Sequence, residues 1–146
     1  MRRIVVGQPV VEWVAKLTDE YGNFGAAVGF GIEKDGALVA GVVFNEYNGV
    51  NMNMHVASDG SKDWMTRELL WMVFDYAFRQ AKVKRLTGLV GEGNAVSRIF
   101  TERIGFELET TLESAHPTGK LLIYRMFKDK CKWIKPEFTQ KRSVTY

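Results

Sequence analysis

The stretch VKRLTGLVGEGNAVSRIFTERIGF, residues 83–106, decides how the chain folds. Val83–Val90 reads as a strand and Asn94–Ile104 as a helix. Asn94 is placed to cap that helix, because its side-chain oxygen can take one of the orphan backbone N–H groups of the first turn. Gly105 then ends the helix, and Phe106 opens the next strand. Taken alone, strand, GEGN turn, helix and strand make an ordinary βαβ-type unit.

Upstream, residues 8–20 place Val10, Val11, Trp13, Val14 and Leu17 on one helical face, with Gly22 as a stop. Residues 24–33 are apolar and glycine-rich, which predicts a buried strand. Lys34-Asp35-Gly36 supplies a hairpin turn, and Ala37–Phe44 the returning strand. Asn48-Gly49 is a second turn, followed by a strand over Val50–Ala57. These three strands are joined by tight turns and are expected to lie antiparallel. Residues 62–81 then carry Trp64, Met65, Leu69, Met72, Val73, Tyr76 and Ala77 at helical spacing. Downstream of the deciding stretch, Phe106–Leu112 and Leu121–Phe127 read as strands around a turn at His116–Gly119.

The expected order is β-α-β-β-β-α-β-α-β-β. Antiparallel strands first and a crossover later predict an α/β (α+β) domain, with a mixed, mostly antiparallel sheet flanked by helices. Residues 1–133 are expected to form this single domain, and 134–146 a polar, basic tail.

NAVSRIFTERIGF (94–106) resembles the Asn-x-x-Ser/Ala…Gly-Phe segment of the GNAT superfamily of acetyl-CoA-dependent N-acyltransferases, and the element order is similar too. A family valine that precedes a Leu-Leu pair by 13 and 14 positions matches Val56 with Leu69 and Leu70. The resemblance runs over roughly residues 24–127. Residues 105–126 look most like the ribosomal-protein and small-amine branch, and Lys130-Cys131-Lys132-Trp133 resembles a phage or prophage signature.

The resemblance implies direct attack of an amine on the acetyl-CoA thioester. The main service of such a site is to hold two substrates together. Backbone N–H near Val56 would receive the thioester oxygen, Asn94 would hold the pantetheine arm, and Ser97 lies one turn along the same face. Phe100 either lines the thiol end or belongs to the core. The chain departs from the family in two places. Where the family carries a glycine-rich pyrophosphate loop, Ser61, Lys62, Trp64 and Thr66 stand here, Trp64 packing on adenine or in the core. Where many members place a tyrosine, this chain has Thr101, a far weaker acid.

For the proton taken from the amine, His55 beside Val56 can titrate near neutral pH, either as base or as a surface residue. Glu46, after the third strand, either approaches the amine or is a solvated turn residue. Tyr47 and Tyr124 are further polar aromatics without an assigned place. Cys131 is expected as a packing thiol. Two histidines and one cysteine without ligand spacing do not predict a metal site.

Composition bounds the rest. The chain has 146 residues, 46% of them hydrophobic and 12% aromatic, enough for one domain with a real core and too many for general disorder. No apolar run approaches the roughly 18 residues that span a bilayer. A lone cysteine and a first segment interrupted by Gln8, Pro9 and Glu12 point to a cytoplasmic protein. The net charge of +3 is concentrated at the end: residues 1–120 hold 13 Lys/Arg against 15 Asp/Glu, and 121–146 hold 7 against 2. Nucleic acid is therefore not the first expectation as partner. An amine acceptor, small molecule or protein, is expected with acetyl-CoA, and a homodimer through the last strands stays open. The alternative is a binding module of the same fold without catalysis.

Overall fold

Two short turns set the first half of the sheet. Asp35 and Gly36 both take positive φ (53° and 88°), as a two-residue hairpin joining twisted strands requires. They connect β2 (Ala27–Lys34) to β3 (Ala37–Asn45). The next turn is closed by Asn48, whose Oδ1 accepts the N–H groups of Val50 and Asn51 at 3.1 and 2.8 Å. It delivers the chain into β4 (Asn51–Ser58). Around these lie β1 (Arg2–Val6), α1 (Gln8–Leu17), α2 (Arg67–Asp75), β5 (Arg85–Gly91), α3 (Ala95–Arg103), β6 (Glu107–His116) and β7 (Gly119–Phe127). The computed structural model describes residues 1–18, 23–61 and 66–134. The Gly22 stop, Lys62, Trp64 and tail residues 135–146 lie outside the described residues.

The seven strands form one sheet in the order β1-β2-β3-β4-β5-β7-β6. β4 and β5 run parallel, and every other neighbouring pair is antiparallel. The architecture is the expected mixed sheet with flanking helices, in the expected order of elements. Some boundaries differ. β2 begins at Ala27 rather than Phe24, and β6 continues to His116 rather than stopping at Leu112. The helix expected over 62–81 is α-helical from Arg67 to Asp75, then widens into a π turn over Tyr76–Gln80. Ile134, placed with the tail by the sequence, is buried in the core, and its carbonyl accepts the Arg79 guanidinium at 2.6 Å.

Both faces of the first half of the sheet are covered. On one face α2 packs Leu69, Leu70, Val73 and Phe74 against Phe30, Val42, Phe44, Met52 and Met54. On the other, α1 seats Val10, Val11 and Val14 over Val43 and Phe24. Glycine allows that second contact. A Cβ added at Gly41 would stand 2.6 Å from Val14 Cγ2 and 2.9 Å from Val10 Cγ1, well inside van der Waals contact.

Candidate functional site

β4 and β5 pair over three positions only, Asn51–Asn53 against Arg85–Thr87. Beyond them the two strands part, and a gap opens in the middle of the sheet. β3 still pairs with β4 as far as Ser58, and β7 with β5 as far as Gly91, so each side of the gap stays rigid.

The polarity of the gap walls follows from alternation along a strand. Val50 O accepts the Lys84 N–H on the β5 side at 2.9 Å, whereas the Asp59 N–H reaches Val39 O on the β3 side at 2.8 Å. Counting by two between them, Met54 and Val56 turn their peptide groups toward the gap. Across it, the Glu92 N–H bonds Lys120 O beside β7 at 2.9 Å, which leaves Leu89 and Gly91 facing β4. Two peptide edges thus face one another where no strand lies between them. A ligand with amide groups of its own can enter there as a substitute strand.

At the open end of the gap two helices begin. Thr66 caps α2, its Oγ1 accepting the Leu69 N–H at 3.1 Å. Asn94 caps α3 as expected, its Oδ1 accepting the Ser97 N–H at 3.0 Å. Helix N-termini carry free N–H donors and the positive end of the helix dipole, and they attract phosphate. A parallel strand pair with helices starting at its carboxyl ends is the usual ligand crevice of an open mixed sheet.

A family model described as Acetyltransferase (GNAT) domain matches residues 6–120. The chain belongs to the GNAT acetyltransferase family. No curated protein sequence matches it. Among solved structures it is similar to a mutant form of the spermidine N-acetyltransferase of Vibrio cholerae, with TM-score 0.69 and 13% identity over 93% of this chain and 98% of that one. It is also similar to the ribosomal-protein-S18-alanine N-acetyltransferase of Escherichia coli, with TM-score 0.66 and 17% identity over 87% and 94% of the two chains. The ribosomal-protein-S5-alanine acetyltransferase of Vibrio fischeri gives TM-score 0.62 and 13% identity over 82% and 69%.

In this GNAT domain the gap gathers some of the expected residues. Val56 lines it through its main chain, and Asn94, Ser97 and Thr66 stand at its mouth. Phe100 is half-buried against the main core. Thr101, at the family's tyrosine position, is the buried residue of α3. Neither further tyrosine takes over that position. Tyr124 is fully buried on β7 and donates its hydroxyl to Glu102 Oε2 at 2.6 Å. Burial, and then the Glu102 bond, raise its pKa above the usual tyrosine value. Tyr47 is exposed and donates to Ala81 O at 3.1 Å.

The phosphate end has a feature that the sequence reading missed. Asp59 Oδ1 accepts both the N–H and the hydroxyl of Ser61, at 2.9 and 2.6 Å. These bonds hold the Asp59 carboxyl below the usual carboxylate range, so a negative charge sits beside the expected phosphate donors. Ser61 thereby spends its hydroxyl on Asp59. An Asp-x-Ser sequence at a strand end is the available signal for such a turn.

His55 is not a surface residue. It lies on the face of β4 that α1 covers, half-buried, with its ring against the Phe24 ring at 4.6 Å between centroids. Its Nε2 meets Asn45 Oδ1 at 2.8 Å. Burial pushes its pKa from 6.5 down to about 4, so the expected titration near neutral pH does not occur. Glu46 is exposed on the β3–β4 turn, with φ of 54°. Beside Phe24, a cavity of about 380 Å³ lies against α1, with Gln8 and Glu12 among its lining residues. Such a volume is within the usual range for small-molecule sites.

Beside the mouth of the gap, the tip of the β6–β7 hairpin rests on the GEGN loop. The Gly93 N–H reaches Thr118 Oγ1 at 3.3 Å, and Glu92 Oε2 accepts the Lys120 N–H at 3.0 Å. The His116 ring lies directly over Gly91, where an added Cβ would stand 2.5 Å from Cε1. His116 is thus a docking residue, and the loop before α3 is held from both sides.

Proposed function

We propose that the protein transfers an acetyl group from acetyl-CoA to an amine by direct attack on the thioester. The observation that carries this reading is the β4–β5 gap, with peptide edges on both walls and helix N-termini at its mouth. The residues present fit the co-substrate there. Main-chain groups of Met54, Val56 and Leu89 would take the pantetheine amides, and Asn94 Nδ2 remains able to donate beside them. Thr66, Lys62 and Arg67 would meet the phosphates, with Ser61 tied to Asp59. Trp64 and Lys62 occupy the family's phosphate-loop positions. Acetyl-CoA supplies an acyl group already activated as a thioester.

The chain's own part is positional. A backbone N–H beside Val56 would receive the charge that develops on the carbonyl oxygen. His55 faces away from the α2 core, on the side of β4 that carries Phe24 and the cavity along α1, and we assign that side to the amine. Glu46, exposed on the β3–β4 turn, is a second candidate contact for the amine. The ammonium first gives a proton to solvent; the neutral nitrogen then bonds to the carbonyl carbon and gives up its second proton to solvent, the carbon–sulfur bond breaks, and the leaving thiolate takes a proton from solvent, since Thr101 is too weak an acid. Acceptors named for the structural neighbours, spermidine and an alanine of a ribosomal protein, are the first candidates, in line with the small-amine and ribosomal-protein branch. The reading also places the protein in the cytoplasm; no described helix is long and apolar enough to cross a membrane.

Two further observations bear on the reading. β6 is an edge strand with Leu108 and Leu112 exposed, which supports a homodimer through the last strands. The Asp59 charge and Thr101 favour, as a second reading, a binding module of this fold without catalysis. The deciding test measures thiol release from acetyl-CoA with spermidine and with an alanine-first peptide. Acceptor-dependent release, with acetylated product by mass spectrometry, supports the enzyme. Binding of acetyl-CoA with no release above the uncatalysed background supports the binding module.

A further inference from the structure

We infer that Asn45 is a positioning residue that fixes His55 as its Nε2–H tautomer, leaving Nδ1 to accept a hydrogen bond from the incoming amine. The second half rests on the assignment of the His55 side to the amine; the first half does not.

The Phe24 carbonyl can only accept a hydrogen bond. The Phe24 carbonyl bonds the Asn45 side chain at 3.1 Å, so the atom facing it is the amide nitrogen, Nδ2. That settles which way the amide points, and Oδ1 is then the atom 2.8 Å from His55 Nε2. An amide oxygen only accepts, so Nε2 carries the hydrogen. In a neutral imidazole the other nitrogen then holds a lone pair. Asn45 is 6% exposed and has no freedom to turn over without losing both bonds. Phe24, packed on the imidazole face, fixes the ring plane.

Three chain segments therefore converge on one ring: the approach to β2 through Phe24, the end of β3 through Asn45, and β4 through His55. The arrangement suits an acceptor, not a proton store. With its pKa near 4, His55 stays neutral at pH 7 and cannot hold the proton of an ammonium group. What Nδ1 can do is accept one N–H of an amine that has already lost that proton, and so aim the nitrogen lone pair.

The chain has two histidines, so the test is direct. Long-range proton–nitrogen NMR of protein labelled at histidine nitrogen reports each ring's tautomer, with His55→Gln assigning the signals. The expected result is a single Nε2–H tautomer for His55. Asn45→Asp, which keeps an acceptor at that place, should retain it. Asn45→Leu should give a mixture and lower kcat/KM for the amine roughly 10- to 100-fold with KM for acetyl-CoA unchanged, the scale of loss when a reacting group is misplaced. An Nδ1–H tautomer in the wild-type protein overturns the inference, and so does a tautomer indifferent to Asn45→Leu. Should Asn45→Leu not fold, the wild-type and Asn45→Asp spectra still decide the tautomer. If the tautomer holds and kcat/KM does not change, the role toward the amine is overturned. A protein with no transferase activity loses the proposed function, while the spectra still judge the Asn45–His55 pair.

Discussion

Replacing His55 by glutamine should flatten part of the acid sensitivity of folding. In the unfolded chain His55 titrates at 6.5, and in the fold burial lowers it to about 4. Between those values the unfolded state binds the proton and the folded state does not, so acid favours unfolding. The stability this site contributes is fully present above 6.5 and is lost as the pH falls through the window to 4. At 1.36 kcal/mol per pK unit, the loss from pH 7 is about 2 kcal/mol at pH 5 and about 3 kcal/mol at pH 4. His55→Gln removes the titrating group and keeps an N–H donor for Asn45 Oδ1. Carboxylates elsewhere titrate in both proteins and cancel in the difference. Urea unfolding of both at pH 7, 5 and 4 gives that difference, which should move by the stated amounts in favour of the variant. A wild-type-minus-variant difference that stays constant from pH 7 to 4 would refute the buried, neutral imidazole.

Two other substitutions probe the scaffold and the mouth of the gap. Gly41→Ala drives a methyl into Val14 and should cost about 1–3 kcal/mol in urea unfolding, as overpacking does; adding Val14→Ala should recover much of it, and independent effects would mean that α1 is not seated there. Asn94→Ala removes the α3 cap and should cost about 1 kcal/mol of stability. Calorimetry on the folded variant should also show weaker acetyl-CoA binding, and unchanged affinity would reduce Asn94 to a cap.

The sequence made the order of elements readable because its turns are chemically explicit. Asp35-Gly36, Asn48-Gly49 and Gly105 each mark a change of direction, and the apolar spacing of α1 and α2 does the rest. Non-local features were not readable. The insertion of β7 between β5 and β6 has no local signal, and neither does the early end of the β4–β5 ladder that creates the site. His55 was ambiguous because strand alternation assigns opposite faces without saying whether both are covered. Here α1 covers the second face, so the polar residue opposite the apolar ones is buried as well. Asn45 closes the apolar run Val42-Val43-Phe44 and looks like the first residue of a turn. Its role depends on Phe24 and His55, 21 and 10 positions away, which no local pattern joins. Asp59, by contrast, carries a local signal in Asp-Gly-Ser, the pattern of a turn closed by its own carboxylate.

The central claim is that the gap between β4 and β5 receives acetyl-CoA despite Asp59 and the altered phosphate loop. Calorimetric titration of the purified protein with acetyl-CoA and with CoA tests it most directly. The account predicts micromolar binding of both, with one site per chain. No binding up to millimolar concentration would contradict it, and would leave a GNAT fold whose gap serves some other purpose.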